Sequence, residues 1–249
     1  MTSLPPFRRS VYLALALGCL LSAASVGQPA RAAGFTVDSV ADAVDSNPGD
    51  GVCATAAGQC TLRAAIQETN AVPGADNVYL PAGEYSVFIP SLAEDEDTVV
   101  EGDLDITGDL NIEGAGASAA IVGANDLPAI RVFEVHQGAR VTMSDLAVQH
   151  GGHVFAHGGG ILNQGTLILN GVIVQGNEGR EGGGIQNMGT LTVNGGAFMH
   201  NSGITGHSAG GAIFNFGTMA LTGVLFSNNG AGFGGGAVLN LGTAERDAS

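Results

Sequence analysis

Oxygen-bearing side chains crowd one short stretch of the chain. Asp42, Asp45, Asn47 and Asp50 precede Gly51 in a loop that also holds Pro48 and Gly49. Closely spaced carboxylates and an amide are the donors that calcium selects, and the spacing resembles a calcium loop with one residue inserted. A solvated acidic turn has the same composition, and it is the reading we favour over calcium. The run Glu94-Asp95-Glu96-Asp97 has less order in its spacing and reads as an exposed loop.

Nitrogen donors form a second group. His150, His153 and His157 lie in a Gly-rich corner, and His200 and His207 fall in later corners that could stack near them. Neutral imidazoles grouped this way bind zinc or copper, but the flanking glycines leave the geometry loose and favour a solvated turn. A polysaccharide lyase would need a basic residue beside a carboxylate-held calcium, and a glycoside hydrolase would need paired carboxylates. The basic residues of the repeat region are Arg131, Arg140, Arg180 and Arg246, and the sequence sets none of them beside an Asp-rich strand repeated on one face. Arg180 sits between Glu178 and Glu181, where a local ion pair is the simpler reading. With no tryptophan and three tyrosines, stacking platforms for sugars are scarce. The residues therefore assign no catalytic group.

The first segment limits the compartment. Arg8-Arg9 precede an apolar run from Val11 to about Leu21, and Ala30-Arg31-Ala32 has the small-x-small form of a cleavage site. Residues 1–32 read as a secretory signal peptide. The run is shorter than the ~20 apolar residues that span a bilayer, and no later segment is long enough, so no transmembrane helix is expected. Cys19 would leave with the signal, and Cys53 and Cys60 would remain as a pair with six residues between them. In an oxidising compartment that pair forms a disulfide. Without residues 1–32 the chain keeps five arginines and no lysine against 23 acidic residues, which excludes nucleic acid as a natural partner. Such a surface also repels polyanions.

These side chains need a scaffold. Residues 33–77 contain no repeat, and their clearest element is Thr61-Leu62-Arg63-Ala64-Ala65-Ile66-Gln67-Glu68-Thr69-Asn70. Leu62, Ala65, Ile66 and Thr69 share one helical face, Thr61 or Cys60 can begin the helix, and Asn70 before Pro73-Gly74 ends it. From residue 78 to 249 the pattern changes to short apolar-alternating strands separated by glycine, with no helical periodicity between them.

The second half repeats one phrase. Gly159-Gly160-Ile161-Leu162-Asn163-Gln164-Gly165-Thr166 returns at Gly183–Thr190, Gly211–Thr218 and Gly236–Thr243, so Asn163, Asn187, Asn215 and Asn240 are spaced by 24, 28 and 25 residues. A period of that length is one rung of a solenoid. The chain is thus expected to be all-β, a right-handed parallel β-helix of six or so coils, with a short N-terminal capping helix over the open end. The four asparagines should stack as an amide ladder, and Asn170 and Asn194 should begin a second ladder ending at Thr222. Gly165, Gly189, Gly217 and Gly242 are expected to supply positive φ at the corner.

The segment Cys60-Thr61-Leu62-Arg63-Ala64-Ala65-Ile66-Gln67-Glu68-Thr69-Asn70-Ala71 resembles the motif of the CSLREA domain, with Thr61 in place of Ser and Ala64 in place of Glu. The Thr-Val-Asp-Ser opening at Thr36 and the stretches Asp76–Tyr85 and Gly102–Ile106 agree with it. That resemblance implies an exported bacterial protein continuing into parallel β-helix repeats, and it brings no catalytic residues. Gly210-Gly211-Ala212-Ile213 followed by Phe226-Ser227-Asn228-Asn229 is similar to the repeats of polymorphic outer-membrane proteins, which are surface adhesins. The expected function is a non-catalytic adhesion or interaction module, extracellular or at the bacterial cell surface or periplasm, with a surface glycan or protein as partner. The alternatives are a carbohydrate-active enzyme and a structural envelope or matrix component. The last residues leave the repeat without a capping helix, so the expectation is either a truncated copy of a longer protein or end-to-end self-association through the open coil.

Overall fold

A computed structural model describes residues 32–72, 74–90, 99–124, 130–153, 157–203 and 208–245. The signal-peptide reading, the acidic run at 94–97, His207 and Arg246 fall outside these residues. The described chain is a parallel β-solenoid of about five turns with one short helix on the N-terminal side.

Each regular coil lays down one strand in each of three main sheets, and Gly152–His153, Glu178–Gly179 and Ser202–Gly203 pair in parallel as a short fourth sheet on the return arm. Sheet 1 has six strands: Leu104–Ile106, Phe133–Val135, Ile161–Asn163, Ile185–Asn187, Ile213–Asn215 and Val238–Asn240. Sheet 2 has eight, beginning with Gly34–Thr36 and Ala75–Leu80 and ending with Thr218–Thr222 and Thr243–Glu245. Sheet 3 has six, from Gly83–Ser86 to Leu225–Ser227. All the strand pairs within these sheets are parallel, and the repeated phrases align residue for residue: Ile161 with Ile185, Ile185 with Ile213 and Ile213 with Val238.

Alternation sets the core. In Thr190–Asn194 the side chains of Leu191 and Val193 are fully buried while Thr190, Thr192 and Asn194 face out. The same rule places Leu167, Leu169, Val141, Met143, Leu110 and Ile112 in one continuous hydrophobic column. Apolar burial along that column is the main stabilising term.

The asparagine ladder is present inside the corner between sheets 1 and 2. Asn163 Nδ2 donates to Asn187 Oδ1, Asn187 Nδ2 to Asn215 Oδ1, and Asn215 Nδ2 to Asn240 Oδ1, each at 2.6 Å. The second ladder lies on the outer surface, where Asn194 Nδ2 donates to Asn170 Oδ1 at 2.9 Å and Asn194 pairs in register with Thr222. A third ladder lies beyond sheet 3, with Asn177 and Asn201 fully buried and Asn229 half-buried: Asn177 donates to Asn201 and Asn201 to Asn229, each at 3.0 Å. Those amides also bond the carbonyls of Val148, Val174 and Phe198, and their spacings of 24 and 28 residues repeat those of the first ladder.

The corner glycines serve a different purpose from the one expected. Gly165, Gly189, Gly217 and Gly242 are absent from the positive-φ positions of the described chain. Their role is close stacking, since a Cβ on Gly189 would lie 2.0 Å from the Gly165 carbonyl oxygen, and one on Gly217 would lie 1.9 Å from that of Gly189. Positive φ falls instead at Gly171, Gly195 and Gly223, the turn between sheets 2 and 3. Gly189→Ala should therefore lower stability by about 1–3 kcal/mol through overpacking against backbone. A urea midpoint equal to that of the unsubstituted protein would show that the corner can open.

The helix Leu62–Ala71 caps the first coil. Thr61 is its N-cap, with extended backbone angles and a hydroxyl that accepts from Ala64 N. Leu62, Ala65 and Ile66 join the solenoid core as expected, but the opposite face is buried as well, including Arg63, Gln67 and Glu68. The covering layer is the 37–60 loop, held by the Cys53–Cys60 disulfide. Sequence periodicity treats the polar face as solvated, and here it is an internal seam.

Candidate functional site

Charged side chains converge on the outer face of sheet 1, at its N-terminal end. Asp105 and Glu134 occupy equivalent positions of two consecutive coils and pair in register. Neighbouring strands lie about 4.8 Å apart, so parallel stacking brings the two carboxylates together. His136 follows two residues after Glu134 and shares its face; its Nε2 stands 2.8 Å from Asp105 Oδ1. Arg131 donates from Nε to Asp103 Oδ2 at 2.5 Å and from Nη2 to Glu134 Oε2, while Gln164 Nε2 donates to Glu134 Oε1 at 2.8 Å.

The capping helix positions this cluster. Arg63 Nη1 donates to the carbonyl of Asp103, and Asn70 Nδ2 donates to that of Asp105 at 2.7 Å. Arg63 Nη2 also bonds the carbonyl of Gly102 at 2.8 Å, so the helix grips the backbone of the strand that carries both aspartates. A short chain of contacts therefore joins the disulfide loop, the helix and the cluster.

Burial decides what the cluster can do. Asp105 is 1% exposed, Glu134 2% and Arg131 8%, and the His136 side chain, at 20%, is the most open member. Buried ions of opposite sign hold one another in place, and removing one leaves the rest uncompensated. Asp105, Glu134 and His136 each present a ligand atom within 4.8 Å of the others, the one such triad among the described residues. One imidazole and two carboxylates suit a zinc-like ion better than calcium, which takes oxygen donors. The described cavity of about 560 Å³ lies elsewhere, lined by Thr69, Asn70, Val72, Thr107 and Asp109.

The acidic loop residues weighed as calcium ligands against a solvated turn have partners within the protein. Asp42 forms a bidentate ion pair with Arg63, at 2.6 and 3.0 Å, and also accepts from the backbone of Phe88 and Ile89. Asp45 accepts from Asn47 N and Ala54 N, and Asn47 Nδ2 donates to Asp50 Oδ2. Adding calcium to millimolar concentration should leave the melting temperature unchanged, because a cation would have to displace Arg63 and these backbone donors. A saturable rise in melting temperature would place calcium in the loop.

The histidines are dispersed. His150 and His200 occupy one corner column two coils apart, both with positive φ, and Gly176 stands between them. His157 Nδ1 lies 3.0 Å from Glu181 Oε2, so Glu181 pairs with His157 and not with Arg180. Cys53 and Cys60 form the expected disulfide, with Cα atoms 5.0 Å apart.

Sequence reasoning missed the carboxylate cluster and wrongly separated Arg131 from aspartate. A signal was there: Leu104-Asp105-Ile106 and Phe133-Glu134-Val135 place a carboxylate at the centre of equivalent strands, 29 residues apart. No helix among the described residues is long and apolar enough to cross a membrane. Compared with known proteins, the chain matches no protein family, no curated protein and no solved structure.

Proposed function

We propose that the protein is an exported, non-catalytic adhesion or interaction module that presents the outer face of sheet 2 to an uncharged glycan surface. The resemblance of Cys60–Ala71 to the CSLREA motif is part of the same reading. The observation that carries it is the composition of that face. Over three consecutive strands its outward side chains are Thr166, Ile168 and Asn170, then Thr190, Thr192 and Asn194, then Thr218, Ala220 and Thr222. None is charged, in a chain of formal net charge −15. Hydroxyls and amides repeat about every 4.8 Å across the strands, which suits a hydroxyl-rich polymer, while the charge of the remaining surface disfavours anionic ones.

Cosedimentation with insoluble neutral polysaccharides tests the proposal. The mature protein should pellet with at least one of cellulose, chitin or a β-1,3-glucan, and Thr192→Glu should reduce retention severalfold without changing the fold. Retention unaffected by Thr192→Glu would remove this face from the proposal.

A polysaccharide lyase or hydrolase is the second reading, favoured by one observation: Asp103, Asp105, Glu134 and Arg131 do converge on one sheet. Their burial keeps them from a polymer in this conformation. Release of reducing or unsaturated ends by the native protein, lost in Glu134→Gln, would reverse the order of the two readings.

A further inference from the structure

The buried carboxylates of the cap are well supplied with donors, with one exception. Asp42, Asp45 and Glu68 each have both oxygens engaged, by Arg63 or by backbone N–H groups. Asp76 is different. It is fully buried on the inward side of the strand Ala75–Leu80, its Oδ1 accepts one amide, Ala33 N at 2.7 Å, and its Oδ2 has no hydrogen-bond partner. A carboxylate held by a single neutral donor in a dry site is costly to bury.

The donor's identity supplies the explanation. Ala33 is the residue that follows the small-x-small sequence Ala30-Arg31-Ala32. It is half-buried while Ala32 is exposed, and the strand Gly34–Thr36 begins immediately after it. Asn77 N donates to the Ala33 carbonyl at 2.9 Å, which fixes the residue against the strand that carries Asp76.

We propose that the protein is cleaved between Ala32 and Ala33, and that the freed α-ammonium of Ala33 forms an ion pair with Asp76 that locks the mature fold. The inference rests on the export reading of residues 1–32. A processing peptidase would catalyse attack of water on the Ala32 carbonyl; the C–N bond breaks, Ala32 keeps a carboxylate, and the leaving nitrogen takes up protons to become an ammonium. One amide donor is thereby replaced by three N–H donors and a positive charge, enough to serve both oxygens of Asp76. Cleavage one residue earlier or later would misplace the charge by about 3.3 Å, the rise of one extended residue. The processed chain is then more stable than its precursor, and the signal segment destabilises the unexported form by withholding the charge.

Two measurements test this separately from export itself. Intact mass of protein recovered from the medium should correspond to a chain starting at Ala33, whereas recovery of the full-length chain would refute processing and the export reading together. Independently, protein with a free Ala33 amine, released from a cleavable fusion, should have an unfolding constant at least tenfold smaller than protein that retains Ala32. That difference should vanish in Asp76→Asn. If Asp76→Asn does not fold, Nα-acetylation of the Ala33 chain should reproduce the tenfold loss. Equal urea midpoints for the free, extended and acetylated chains would overturn the ion pair even where the cleavage site is correct.

Discussion

Arg63→Met should destabilise the protein by about 3–5 kcal/mol, the usual cost of leaving one member of a buried ion pair without its partner. The Arg63 guanidinium is completely enclosed, and the Asp42 side chain opposite it is 3% exposed. Methionine would preserve much of the volume but strand the Asp42 carboxylate, apart from its two backbone donors, and free the carbonyls of Val99, Gly102 and Asp103. Because Arg63 holds the strand that carries Asp103 and Asp105, the loss should also loosen the charged cluster. Chemical denaturation gives the magnitude, and a cycle with Asp42→Leu separates the charge from the packing. The double variant should recover much of the loss, since removing both charges is far less costly than removing one. A single Arg63→Met change below about 1 kcal/mol would mean that water reaches the seam between helix and loop.

Asn187→Ala is the second large effect, at about 2–5 kcal/mol, because each buried polar group left without a partner costs about 1–3 kcal/mol. Asn187 Nδ2 bonds Asn215 Oδ1 at 2.6 Å and the Thr218 carbonyl at 3.0 Å, and its Oδ1 accepts from Asn163. All three asparagines are fully buried, so no water takes over these bonds. The outer ladder provides the control. Asn194→Ala also removes an amide stacked on a neighbour, yet Asn194 is exposed, and the change should stay within about 0.5 kcal/mol. Similar urea midpoints for the two variants would contradict the view that burial makes the inner ladder matter.

How far the sequence discloses this molecule depends on whether a feature repeats. The spacing of Asn163, Asn187, Asn215 and Asn240 predicted a register that the strands follow residue by residue, because identical side chains in consecutive coils have few other ways to satisfy one another. The same logic would have found Asn177, Asn201 and Asn229. It fails for glycine, where a residue required by positive φ and one required by a carbonyl 2 Å from its Cβ look alike in sequence. It also fails in the first coils. Asp105 and Glu134 become neighbours only through stacking, and Arg131 and Asp103 lie at strand edges where the repeat has not yet settled. The helix gives the clearest case. Leu62, Ala65 and Ile66 announce a buried face, but Arg63, Gln67 and Glu68 would be placed in water by any periodicity argument, and a disulfide-pinned loop buries them.

The spacing of the coils has one more consequence. Sheet 2 begins three residues after each asparagine, at Thr166, Thr190, Thr218 and Thr243, and sheet 3 follows at Ile173, Ala197 and Leu225 with the same interval each time. Among these four coils the variation lies in the arm that returns from sheet 3 to sheet 1, from Gln175 to Ile185, from Met199 to Ile213 and from Ser227 to Val238. In these coils a gene can gain or lose codons in the part of the arm beyond Asn177, Asn201 and Asn229, while the rest is held to a fixed count. Copying a whole coil leaves that count intact, so the rod can lengthen through tandem duplication without a new core having to evolve.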